Sequence, residues 1–219
     1  MRSYIRYAIY LIVLIGFSFV HAGSYDDFFA AIRPDNDKAV RALLQRGFDP
    51  NTLSPNGESA LILALREPSF KVISALLENP LTQVELRTVN DESALMLAAL
   101  RGYLDVCKHL IAHNADVNKT GWTPLHYAAT GGHGKIVELL LDHHAYIDAA
   151  SPNASTPLML ASKYGTIDVV NQLLNAGADP SIKNDLGLTA IDFAMQVQRD
   201  DIVRVISASV RSKRKQGAW

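Results

Sequence analysis

One pattern returns along this chain at an almost fixed interval. A period of that length restricts the fold to arrays in which each unit buries its apolar face only against its neighbours. With Thr123 as the register mark, Thr156 and Thr189 follow at steps of 33; Ser93 precedes it by 30, Ser59 by a further 34 and Asp26 by another 33. Two residues past each mark stands a large apolar side chain: Phe28, Leu61, Leu95, Leu125, Leu158 and Ile191. Five past it is always alanine, at Ala31, Ala64, Ala98, Ala128, Ala161 and Ala194, where a methyl group lets neighbouring helices approach closely. Farther on, triplets such as Val106, Cys107 and Leu110, or Ile136, Val137 and Leu140, keep i, i+1, i+4 spacing, which is one face of a helix.

The marks have a local reason. Thr123 can accept a hydrogen bond from an orphan amide of the first helix, and Pro124 then occupies the first helical position, where its missing donor is harmless. Gly102, Gly132 and Gly165, each nine past its mark, stand where that helix stops and the chain reverses.

Thr123-Pro124-Leu125-His126, together with endings such as Asn114-Ala115-Asp116-Val117-Asn118 and Gly177-Ala178-Asp179, resembles the ankyrin repeat. The resemblance implies an all-α solenoid of about six helix-turn-helix units over residues 23–207, with units starting near 26, 59, 93, 123, 156 and 189. It also implies a structural role for His126, bracing adjacent repeats. The first unit, Ser24 to Asn51, lacks the Thr-Pro signature, carries charges from Asp26 to Lys38 around its apolar positions and reads as the N-terminal cap. Unit six, with Asp192 for the motif histidine, reads as the C-terminal one. The interval of 30 between Ser93 and Thr123 means that a projecting turn there is short or absent.

At the start, Arg2 and Arg6 precede an apolar stretch from Ala8 to Val20, and Val20-His21-Ala22 supplies small residues for a signal peptidase. Residues 1–22 are therefore expected to be a signal peptide cleaved near Ala22, giving a periplasmic or secreted protein; retention as an anchor is the alternative. Loss of the leader moves the formal charge from -1 to -3, so no electrostatic footprint for nucleic acid remains. The single cysteine, Cys107, excludes an internal disulfide and sits at a core position. Residues 208–219 form a basic tail, with Arg211-Ser212-Lys213-Arg214-Lys215. It reads as a frayed, solvated end, or else as a handle for an acidic partner or anionic membrane.

No nucleophile motif, phosphate loop or metal-ligand spacing is present, so no enzymatic activity, catalytic residue, metal or cofactor is expected. His109, His113 and His143 come nearest to a cluster, and metal or small-molecule handling there is one alternative function. Binding is the main expectation. In an ankyrin stack the residue before the mark and those seven and eight past it line the concave face. These positions point to Trp122, Tyr164, Lys163, Arg101, Leu100, Arg66 and Glu92 as contacts for a protein partner, the chain itself being monomeric. A leader joined to an ankyrin array is similar to bacterial periplasmic ankyrin proteins, some of which are associated with protection from peroxide stress alongside a catalase. An inhibitor or immunity-type role towards an exported enzyme is a further alternative.

Overall fold

The computed structural model describes residues 23–215, and the expected leader lies outside them. Every regular element among the described residues is helical, apart from one isolated antiparallel bridge between Leu53 and Ser59. The chain divides into two compact units, one ending at Val89 and the other beginning at Asn90.

The first unit holds α1 (23–30), α2 (Asp37–Gln45), α3 (Ala60–Arg66) and α4 (Phe70–Leu77). Phe28 of α1 is fully buried against Phe48, with ring centroids 4.4 Å apart. Asn51 shows why the repeat ending favours asparagine: its amide donates to the Leu81 carbonyl at 2.8 Å and accepts from the Gln83 N–H at 2.7 Å. One side chain with both a donor and an acceptor thus brackets the following loop. Pro68, where units three to five have glycine, is followed by Ser69, which is buried at the N-cap of α4.

The second unit is built from four helix pairs. The first helix of each pair is α5 (Ala94–Arg101), α7 (Pro124–Gly131), α9 (Pro157–Tyr164) or α11 (Ala190–Met195). The second is α6 (Leu104–Ala112), α8 (Gly134–Asp142), α10 (Ile167–Asn175) or α12 (Asp200–Lys215). First helices pack on first helices in chain order, and second helices do the same. Ala98, Ala128, Ala161 and Ala194 are all completely buried along the first row, as the requirement for close approach predicts.

From Ser59 onward the register marks are N-caps, whereas Asp26 lies within α1. The side chains of Ser93, Thr123, Thr156 and Thr189 each accept from the backbone N–H three residues on. Gly102 and Gly132 close α5 and α7 in the left-handed region, at φ of 77° and 71°. Gly165 differs from that expectation. Its φ is -81°, so it needs no left-handed freedom, but a Cβ there would lie 2.4 Å from the Ala129 carbonyl oxygen. Close approach of the preceding repeat, not turn geometry, is what demands a glycine.

Two further differences concern loops and the end. Turns closed by an N–H to carbonyl bond precede three of the marks, from Ser54 to Glu58, Ser151 to Ser155 and Asn184 to Leu188. Before Thr123, where three residues are missing, Lys119 is buried instead: its ammonium pairs with Asp91 and donates to the Thr120 carbonyl. The basic end is not frayed over its first part, because α12 continues to Lys215, anchored by buried Ile202 and Ile206. No helix among the described residues is long and apolar enough to cross a membrane.

Candidate functional site

The four-repeat unit carries a groove of about 490 Å³ where the first helices end and the inter-repeat turns project. Its lining repeats with the sequence. Seven past each mark come Leu100, Thr130, Lys163 and Gln196; one before come Trp122, Ser155 and Leu188; four past come Tyr127, Leu160 and Phe193. Asn153 and Leu186, both three before a mark, form the turn side, and Tyr164 closes the edge. Four of the expected contacts, Trp122, Tyr164, Lys163 and Leu100, are therefore brought together.

Each is held differently. Trp122 is half-buried, its ring in a T-shaped contact with the His126 imidazole at 5.3 Å and 80°, so it is held by its own repeat while still lining the groove. Lys163 lies 5.4 Å from the Tyr164 ring centre and 5.8 Å from that of Phe193, and its ammonium donates to Gln196 Oε1 at 3.1 Å. Tyr164 and Leu186 remain 59% and 77% exposed, an unusual state for large apolar side chains facing the same opening.

His126 is the foundation beneath Trp122. It is fully buried; its Nε2 lies 2.9 Å from the Ser155 carbonyl, which can only accept, so the proton is on Nε2. The bare Nδ1 then accepts from the Thr123 N–H at 3.2 Å. Burial is the main cause that pushes the imidazole pKa down to about 4, partly opposed by the Ser155 and Ala149 carbonyls, and the ring is neutral at ordinary pH. At the equivalent positions of other repeats, Met96, Met159 and Asp192 also accept from the N–H of their marks.

The remaining expected contacts stand apart from this groove. Glu92 accepts from the Tyr127 hydroxyl at 3.3 Å, behind a lining residue, and burial together with that carboxylate raises the phenol to about 12. Arg101 is exposed but does not line the groove. Arg66 belongs to the first unit, where it pairs with Glu58 at 3.0 Å. Residues four past the marks were not among the expected contacts. The sign of them is an aromatic at Tyr127 and Phe193 on the helix side that also carries the seven-past row.

Other candidates do not assemble. His113 Nδ1 bonds the His109 carbonyl at 2.7 Å, and His133 Nε2 lies 3.0 Å from the Leu100 carbonyl. No group of three His, Cys, Asp or Glu that could hold a metal ion occurs among the described residues. Cys107 is buried, which pushes its thiol up to about 12.

Two family models, "Ankyrin repeats (3 copies)" and "Ankyrin repeats (many copies)", match the chain, the first over residues 28–120 and 80–153 and the second over 146–194. The B-cell lymphoma 3 protein homolog of Mus musculus is 30% identical over 75% of this chain and 38% of its own length. The SH3 and multiple ankyrin repeat domains protein 2 of Homo sapiens is 33% identical over 76% of this chain and 9% of its own length. The nuclear factor NF-kappa-B p105 subunit of Gallus gallus is 32% identical over 75% and 17%, respectively. The chain thus spans well under half of each of these relatives.

Proposed function

The chain belongs to the ankyrin-repeat family, whose repeats indicate a protein–protein interaction module, and from that premise we propose that it binds a partner protein in the groove between Trp122 and Tyr164, without catalysis. The observation that carries the reading is the exposure of Tyr164 and Leu186 beside Trp122 and Phe193 in one opening. Rigid aromatics there offer large contact area at small entropic cost, and such residues dominate binding energy at interfaces. The neighbouring turns and first helices pre-form the opening, so little ordering is needed when a partner docks.

We also propose that the protein acts outside the cytoplasm, on the strength of Arg2, Arg6 and the apolar stretch before Ala22. Amino-terminal sequencing of the native protein tests this: a start at Gly23 supports export with cleavage, and a start at Met1 refutes cleavage. For binding, the test is affinity capture from extracts of the source cells with wild type and with Trp122→Ala, Tyr164→Ala and Tyr146→Ala. Tyr146 is 67% exposed and lies outside the groove. A partner lost with the first two variants and kept with the third supports the groove. A partner kept with all three places binding elsewhere.

A further inference from the structure

Resting on that reading of the groove, we propose that its occupant is an extended acidic segment of a partner protein, in which an Asp or Glu side chain meets Lys163 and large apolar side chains beside it pack on Trp122 and Leu186. Charge decides the class. Lys163 is the one charged residue among those lining the groove, and no carboxylate lies within ion-pair distance of it among the described residues. Its ammonium rests on two aromatic rings and gives a single hydrogen bond, to the neutral Gln196 amide, although it has three donors. A cation held by rings and an amide, in apolar surroundings, gains most from a carboxylate brought to it.

Two other polar groups of the lining are already committed. The Thr130 hydroxyl donates to the His126 carbonyl, and the Asn184 amide accepts from Leu186 and Leu188 while donating to Ser155 Oγ. Neutral donors remain on Asn153, Gln196, Trp122 and Tyr164, but Lys163 is the one charged donor of the lining, with hydrogens to spare.

Length decides for a polypeptide. Leu100, Thr130, Lys163 and Gln196 come from four successive first helices. Packed helices lie roughly 8–10 Å apart, so the row extends about 24–30 Å. An extended chain advances about 3.3 Å per residue, which makes the row the length of a segment of some eight residues.

A displayed library of random 12-residue peptides, selected on the full chain, tests the proposal. Selected peptides should carry Asp or Glu next to Leu, Phe or Trp. Their binding should fall at least about tenfold with Lys163→Gln, fall with Trp122→Ala, weaken as salt rises and stay unchanged with Tyr146→Ala. Lys163→Glu should redirect selection towards Lys- or Arg-bearing peptides. Peptides that need Trp122 but ignore Lys163→Gln, or that are basic or uncharged, overturn the acidic class and leave the groove as a binding site. Selected peptides that ignore Trp122→Ala overturn both. Thermal melting of each variant separates loss of binding from loss of fold.

Discussion

His126 makes the four-repeat unit sensitive to acid in a window that can be worked out from its surroundings. Its folded pKa, about 4, lies below the 6.5 of an unburied imidazole. The unfolded chain therefore takes up the proton more readily. Stability is fully present above about pH 6.5, falls by roughly 1.4 kcal/mol per unit as pH drops, and levels off below about pH 4. Between pH 7 and pH 4.5 the linkage amounts to roughly 2 kcal/mol. Protonation has a clear structural cost, since Nδ1 would have to carry a hydrogen towards the Thr123 N–H that it now accepts from. The assay is urea unfolding across that range in a Trp219→Phe background, where Trp122, in T-shaped contact with the imidazole, reports the unit by fluorescence. His126→Gln serves as reference because an amide can still accept from the cap N–H but does not titrate. The difference between the two proteins should shrink by the stated amount on acidification. Asp192, held low by the Thr189 hydroxyl and N–H, is present in both proteins, as is every other carboxylate, so their linkage cancels in the comparison. A difference that stays flat from pH 7 to 4.5 would refute the buried neutral imidazole.

Four other outcomes are expected. Thr156→Ala should lower unfolding free energy by about 1 kcal/mol while Thr156→Ser keeps it, because the hydroxyl caps α9; equal loss in both, by urea titration, would point away from capping. Gly132→Ala should lose roughly 1–2 kcal/mol, since φ is 71° and the new Cβ would lie 2.8 Å from Thr166 Cγ2; an unchanged melting temperature would contradict this. Asp91→Ala should destabilise by about 2 kcal/mol and more than Lys119→Met, because the first leaves a lysine only 8% exposed without its carboxylate and the second removes the charge; the reverse order would refute the pairing argument. Cys107 should ignore Ellman's reagent in the native protein and react once denaturant is added, as its burial and raised pKa require; native reactivity would place the thiol at the surface.

The repeat skeleton was legible because it rests on short-range chemistry. Caps three residues from their amides, alanines at a helix contact and i, i+1, i+4 faces leave their record within a few residues of each mark. Leu100, Trp122, Lys163 and Tyr164 were legible through the register, since equal positions in successive repeats share one side. Two features escaped. Residues four past the marks are apolar, and Leu97, Leu160 and Phe193 are all buried, so nothing in their character tells that the opening reaches the position at Tyr127, Leu160 and Phe193 but not at Leu97. The burial of Lys119 depends on Asp91, 28 positions earlier, and no local pattern announces a partner at that distance.

The variation at a single register position shows where a repeat departs from scaffold duty. Met96, His126, Met159 and Asp192 all satisfy the amide of their cap residue, and for that purpose a thioether, an imidazole and a carboxylate are interchangeable. Only the imidazole has a second ring nitrogen, and it donates to the Ser155 carbonyl, the residue just before the next mark. Trp122 packs on that same ring, and Ser155 and Trp122 both line the groove. His126 therefore does two things that the other three do not: it locks one projecting turn to the preceding helix and gives the Trp122 ring a fixed support. Replacing it by methionine should preserve the cap yet loosen both groove residues, so peptide binding in the groove should suffer before the fold does.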